Sequence, residues 1–113
     1  MNQRDKLILK YADDLANKFN VEPDLELLKR VTIALGPSIY NRDSGNISSS
    51  EESELERVKQ KFMIEKLGLD PDEDLHTPIV SILETYGRTH RTKYRAVVYY
   101  LLVKQFGKEH VYR

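Results

Sequence analysis

The stretch RTHRTKYRAVVYYLLV, Arg88 to Val103, decides the fold. Arg88, His90, Arg91, Lys93 and Arg95 run with no acid among them into eight consecutive apolar residues, Ala96 to Val103. The β-branched and aromatic residues of that run suit a buried strand as well as a buried helix. A strand needs a neighbour to satisfy its backbone groups, and no second strand pattern exists in the chain, so the run reads as a helix. A segment of this kind buries one part and presents a cationic mouth with the other. It is both the centre of the core and the first candidate for a contact surface. Val98, Leu101 and Leu102 are expected to be nearly fully buried, and Thr92 to start the helix.

Upstream, periodicity and caps predict four more helices. Leu7, Ile8, Tyr11, Leu15 and Phe19 form one apolar stripe, which places helix one at about Asn2 to Lys18. Pro23 suits the first turn of helix two, Leu28, Val31 and Leu35 mark its buried face, and Gly36-Pro37 stops it. Ser48, Ser49 and Ser50 offer caps to helix three, where Ser49 stands three before Glu52 and Leu55, Val58, Phe62, Met63 and Leu67 face inward up to Gly68. Thr77 is the expected cap of helix four, with Pro78 at its first position, Ile79, Ile82, Leu83 and Tyr86 inside, and Gly87 at its end. Between Pro37 and Ser50 periodicity vanishes and turn-forming residues take over. The fold class is therefore all-α: a single domain over residues 1–113, of about five helices, with a long polar loop between helices two and three.

At 113 residues, 40% hydrophobic and 32% charged, the chain is long enough for one core and too hydrophobic for disorder. It holds no cysteine, which excludes disulfides and thiolate metal sites and suits a reducing compartment. Met1 to Lys10 lacks the features of a secretory signal, and the longest apolar run is less than half a bilayer span, so a cytoplasmic protein without a membrane partner is expected. The formal net charge of zero hides a partition. From Glu51 to His76 nine acids face four bases, a balance of −5, whereas from Arg88 to Arg113 seven bases face one acid, a balance of +6. Either these two segments neutralise each other inside the molecule, or the basic one faces an anionic partner.

Leu35-Gly36, Asn41-Arg42-Asp43-Ser44, Glu54-Leu55, Val58, Phe62, Lys66-Leu67-Gly68-Leu69, Lys93-Tyr94-Arg95 and Tyr99-Tyr100-Leu101-Leu102 together resemble the bacterial family known as domain of unknown function 2853. The resemblance spans about Arg30 to Gly107. It implies a small helical cytoplasmic bacterial protein and implies no activity, cofactor or site. Where the loop of that family more often continues into a short apolar stretch after the Arg-Asp pair, Gly45-Asn46 interrupts it here, which leaves the order of the loop open.

Two groups of residues are candidates for function. Arg88, His90, Arg91, Lys93 and Arg95 gather at a predicted helix N-terminus, where cations oppose the helix dipole; they suit nucleic acid or another polyphosphate, or else pair with acids of helix three such as Glu51 and Glu54. Asn41, Arg42, Asp43 and Ser44 are the loop candidates: Arg42 suits a carboxylate or phosphate and Asp43 a proton, unless they close a turn and pair internally. His76, His90 and His110 lack the spacing that puts two ligands on one helix face, and the acids Asp70 to Asp74 lack the glycine and closing glutamate of a calcium loop. No metal, cofactor or catalytic residue is assigned. The leading expectation is a non-catalytic interaction module that self-associates or docks a protein through a groove between helices three and five. Nucleic-acid or polyphosphate binding through residues 88–95 follows it, and an enzyme using the 41–44 loop comes third.

Overall fold

The computed structural model describes residues 1–48, 51–87 and 92–113. Helix α1 (Gln3–Lys18) starts where Asn2 accepts a hydrogen bond from the Asp5 N–H at 2.8 Å, and its stripe of Ile8, Tyr11 and Leu15 is buried. Beyond its end Asn20 takes a positive φ of 56°, and the Val21 N–H returns to the Leu15 carbonyl at 2.9 Å. Asp24, one residue after Pro23, caps α2 (Leu25–Leu35) by accepting from the Leu27 N–H at 3.2 Å. Gly36, with φ of 67°, ends α2, but the chain does not become a loop there: Pro37 sits early in a 3-10 segment (Gly36–Tyr40) that buries Ile39.

Helix α3 (Glu52–Arg57) begins over the Glu51 carbonyl, which accepts from the N–H groups of Glu54 and Leu55. Ser49 and Ser50, the caps read from the sequence, lie outside the described residues. The helix then widens into a π-helical stretch (Val58–Lys66). The pattern of side chains explains the widening. Val58, then Phe62 and Met63, then Leu67 are buried, a recurrence of four to five positions, while Glu65 and Lys66 are exposed. An α-helix of 3.6 residues per turn would rotate those charges toward the core; i to i+5 bonding keeps the apolar residues on one face.

The acidic connector closes on its own backbone. Asp70 accepts from the Asp72 N–H at 2.9 Å, and Asp74 accepts from the N–H groups of His76 and Thr77 at 3.2 and 3.1 Å. Asp74, not Thr77, therefore caps α4 (His76–Tyr86), and Pro78 falls in its first turn instead of its first position. Hydrogen bonds from Thr77, side chain and then backbone, hold the Asp74 carboxyl below its ordinary pKa.

Helix α5 (Arg95–Gln105) is the centre of the molecule, with α1, α2 and α4 all packed on it. Ala96 to Tyr100, Leu102 and Val103 are buried, whereas Leu101 is only half-buried against the core. A final 3-10 turn (Glu109–Tyr112) brings Tyr112 back to the core edge near α2. The helix starts three residues later than Thr92 because Lys93 and Tyr94 are recruited elsewhere. The Ile47 N–H donates to the Lys93 carbonyl at 2.8 Å and the Arg95 N–H to the Gly45 carbonyl at 2.9 Å, an antiparallel bridge that pairs Asn46 with Tyr94. Apart from that bridge the described residues form no strand, and the protein is all-α. No described helix is long and apolar enough to cross a membrane.

Candidate interaction site

Arg95 occupies the first position of α5, where the dipole disfavours a cation. Its neighbours overcome that. The guanidinium donates through Nε to the Ser44 carbonyl at 2.8 Å, through Nη1 to the Tyr99 hydroxyl at 3.1 Å and through Nη2 to the Asn46 carbonyl at 3.1 Å, and Nη2 also forms an ion pair with Glu54 Oε1. Burial alone would lower the Arg95 pKa, but the Tyr99 hydroxyl and the Glu54 carboxylate outweigh it and hold the guanidinium above its ordinary value. One side chain thus ties the long loop, α3 and α5 together. Lys93 is also buried, and desolvation lowers its ammonium pKa. Arg88, His90 and Arg91 lie outside the described residues, so of the basic segment the structure places Lys93 and Arg95, both inward.

The loop candidates divide. Asn41 closes the turn, its Oδ1 accepting from the N–H groups of Asp43 and Ser44 at 2.8 and 3.4 Å, and the Arg42 carbonyl accepts from the Asn46 side-chain amide at 2.7 Å. Gly45 is required here by close approach: a Cβ would stand 2.7 Å from the Asn41 carbonyl oxygen and 2.8 Å from that of Ile39. Asp43 and Ser44 meet Ser38, Glu54, Arg57 and Arg95 around a polar cleft of about 320 Å³. Its charges and hydroxyls are largely partnered already. Glu54 lies between Arg95 and Arg57, the latter at 3.9 Å, and Ser44 Oγ donates to the Ser38 carbonyl at 2.9 Å.

A second cleft, of about 180 Å³, opens between α2, the π-helical stretch, α5 and the C-terminal turn. Val31, Leu35, Phe62, Tyr99 and Tyr112 supply its apolar walls, with Ala34 exposed beside them. Phe62 stacks on Tyr99 with centroids 3.6 Å apart and planes 10° from parallel, which fixes the floor. Two cations stand at the edge: Lys61, paired at 3.5 Å with the exposed Glu65, and Lys66, whose Nζ lies 5.3 Å from the Tyr112 ring centroid. Sequence periodicity points to Phe62 as core but not to its partner; the only advance signal was the aromatic pair Tyr99-Tyr100 inside a helix too apolar to have an outside.

The fold and these sites define a small all-α protein whose helices surround one hydrophobic helix. A protein-family profile described as protein of unknown function (DUF2853) matches residues 10–110, nearly the whole chain, and the chain belongs to that family. No curated protein matches it.

Proposed function

We propose that this protein is a non-catalytic interaction module that docks a segment of a partner protein in the cleft between α2, the π-helical stretch and α5. The occupant is one apolar side chain flanked by acidic residues. The observation that carries this reading is the pairing of an apolar cleft with the cations Lys61 and Lys66 at its edge. A volume of about 180 Å³ is below the range of pockets for drug-sized ligands and close to the roughly 150 Å³ that holds one benzene ring. It suits a side-chain anchor. Among the described bases of the basic segment, Arg95 supports the same preference, since a polyanion needs cations that face water and this guanidinium is hydrogen-bonded inside.

The test is titration of isotopically labelled protein with short peptides that carry a central Leu or Trp among Glu and Asp. Shift changes should centre on Ala34, Phe62 and Tyr112, Lys61→Glu with Lys66→Glu should weaken binding at least about tenfold, and Ala34→Trp should block it by filling the cleft. Saturable binding centred elsewhere, or none at about 1 mM peptide, sinks the reading.

A second reading, a ligand or substrate held by the 41–44 loop, draws on the polar cleft that joins Asp43 and Ser44 to Arg95. It ranks lower because the polar groups there are hydrogen-bonded to one another. Asp43→Asn changing the binding of any small polar metabolite would raise it.

A further inference from the structure

A third cleft lies where the first turn of α1 faces the 3-10 segment, and its chemistry differs from both sites above. It measures about 220 Å³ and is lined by Arg4, Thr32, Ile33, Pro37, Ile39 and Tyr40, among others. Among the described lining residues Arg4 is the charged one, with no acid beside it in the cleft. Thr32 has committed its hydroxyl to the Leu28 carbonyl at 2.7 Å. Two further facts point to an occupant. Ile33 and Tyr40 are 48% and 47% exposed, large hydrophobic side chains left facing water at one cleft. Arg4 Nε is buried and has no hydrogen-bond partner among the described residues. Buried donors are nearly always satisfied, and one left without an acceptor marks an arrangement that an added acceptor improves.

We propose that this cleft binds a small apolar carboxylic acid. A modest rotation of the Arg4 side chain turns its Nε and Nη edge onto the carboxylate as a two-point contact, the geometry in which a guanidinium holds a carboxylate best. Ile33, Pro37 and Tyr40 form the wall against which the hydrocarbon body packs. The size matches, since roughly 150 Å³ holds benzene and the remainder admits the carboxylate. A free phosphate would use the cation and leave the apolar wall uncovered, and a neutral hydrocarbon would leave Arg4 Nε without an acceptor. The site is independent of the proposed docking cleft: Thr32 and Ile33 lie on a different face of α2 from Val31, Ala34 and Leu35.

The experiment is titration of the labelled full chain with phenylacetate and, in parallel, with its uncharged counterpart phenylacetamide. Phenylacetate should give saturable shifts centred on Ile33, Ile39 and Tyr40, with a dissociation constant at least about tenfold below that of the amide. Arg4→Met, which keeps the length of the side chain, should erase the preference for the acid, and Arg4→Lys should restore it in part; an unchanged amide spectrum establishes that each variant is folded. Equal affinity for acid and amide, undiminished acid binding by Arg4→Met, shifts centred elsewhere, or no saturation at about 10 mM phenylacetate overturns the proposal. An acetylated tripeptide ending in a free-acid Phe is the third probe. If it binds here and phenylacetate does not, the cleft reads chain ends and the small-acid assignment is wrong.

Discussion

Arg95 and Glu54, forty-one residues apart in the chain, form an ion pair whose side chains are only 9% and 12% exposed, and the same guanidinium holds the carbonyls of Ser44 and Asn46. Desolvating two charges is costly, and their attraction repays it only when most of the remaining donors are satisfied; here Nε, Nη1 and Nη2 each have an acceptor. Removing Glu54 leaves Arg95 buried without its counter-charge, and removing Arg95 leaves Glu54 with the exposed Arg57 at 3.9 Å. Arg95→Met or Glu54→Leu alone is therefore expected to cost about 3–5 kcal/mol, and the double variant less than the sum of the two. Urea unfolding of the three variants checks this. Additive losses would mean that the pair is not energetically coupled.

Gly45→Ala is expected to destabilise the protein by about 1–3 kcal/mol through overpacking, because the new Cβ meets two backbone oxygens that belong to neighbouring turns and cannot easily move. Gly36→Ala meets no atom within 4 Å, so its cost is the strain of a φ of 67° with a ψ of −154°, a region essentially reserved for glycine, about 1–3 kcal/mol. The two differ in where the damage appears. Hydrogen exchange should accelerate at Ile47 and Arg95 in the Gly45 variant and stay unchanged there in the Gly36 variant, since Gly45 supports the bridge to Tyr94. Protection lost in neither variant would detach the loop from the start of α5.

What could be read from residues alone follows a physical division. Helices α1 and α5 were legible because a periodic stripe and an unpartnered apolar run each allow one solution. The π-helical stretch was not, although its spacing is in view: on a 3.6-residue turn Val58, Phe62, Met63 and Leu67 cover a wide face instead of a narrow one, as the residues of a broad apolar α-helix also do. The true start of α5 and the role of Gly45 depend on pairing residues 45–47 with 93–95, and contacts between distant segments leave no local signature. The unusual bases before α5 were visible, and pairing with Glu54 was one of the two outcomes open to them. Arg4 and Tyr40 carried no sequence signal, because an orphaned donor exists only once the fold surrounds it.

The Phe62–Tyr99 stack joins the π-helical stretch to α5 and floors the proposed docking cleft. Phe62→Leu and Tyr99→Leu in a double-mutant cycle should show a coupling at the low end of the roughly 0.5–1.5 kcal/mol of offset or edge-to-face aromatic pairs, because centroids 3.6 Å apart in near-parallel planes stack face to face. Chemical denaturation provides the measurement, and a coupling near zero would make the rings neighbours without mutual stabilisation.

Alkaline pH should destabilise the protein, and the sign follows from its tyrosines. Burial raises Tyr11 and Tyr112 to about 12, and burial followed by the hydrogen bond that Tyr86 donates to Asp14 at 2.5 Å raises Tyr86 as well. Above about pH 10 the unfolded chain releases these phenolic protons while the folded protein keeps them, so the folded state binds more protons and stability falls as pH rises toward the raised values. Each such group contributes a slope of up to about 1.4 kcal/mol per pH unit. Lys93 acts in the opposite direction, since burial lowers its ammonium pKa and the unfolded chain then binds the extra proton, but it is one group against five, because burial raises Tyr94 and Tyr99 as well. Tyr11, Tyr86 and Tyr112 alone remove up to about 4 kcal/mol between about pH 10 and 11, a large part of a total stability of order 5–15 kcal/mol. Urea unfolding from about pH 9 to 11 tests it: stability should decline over that range, and Tyr86→Phe, which cannot ionise, should make the decline shallower. A flat profile would show that these phenols are no less acidic in the folded protein than in the unfolded chain.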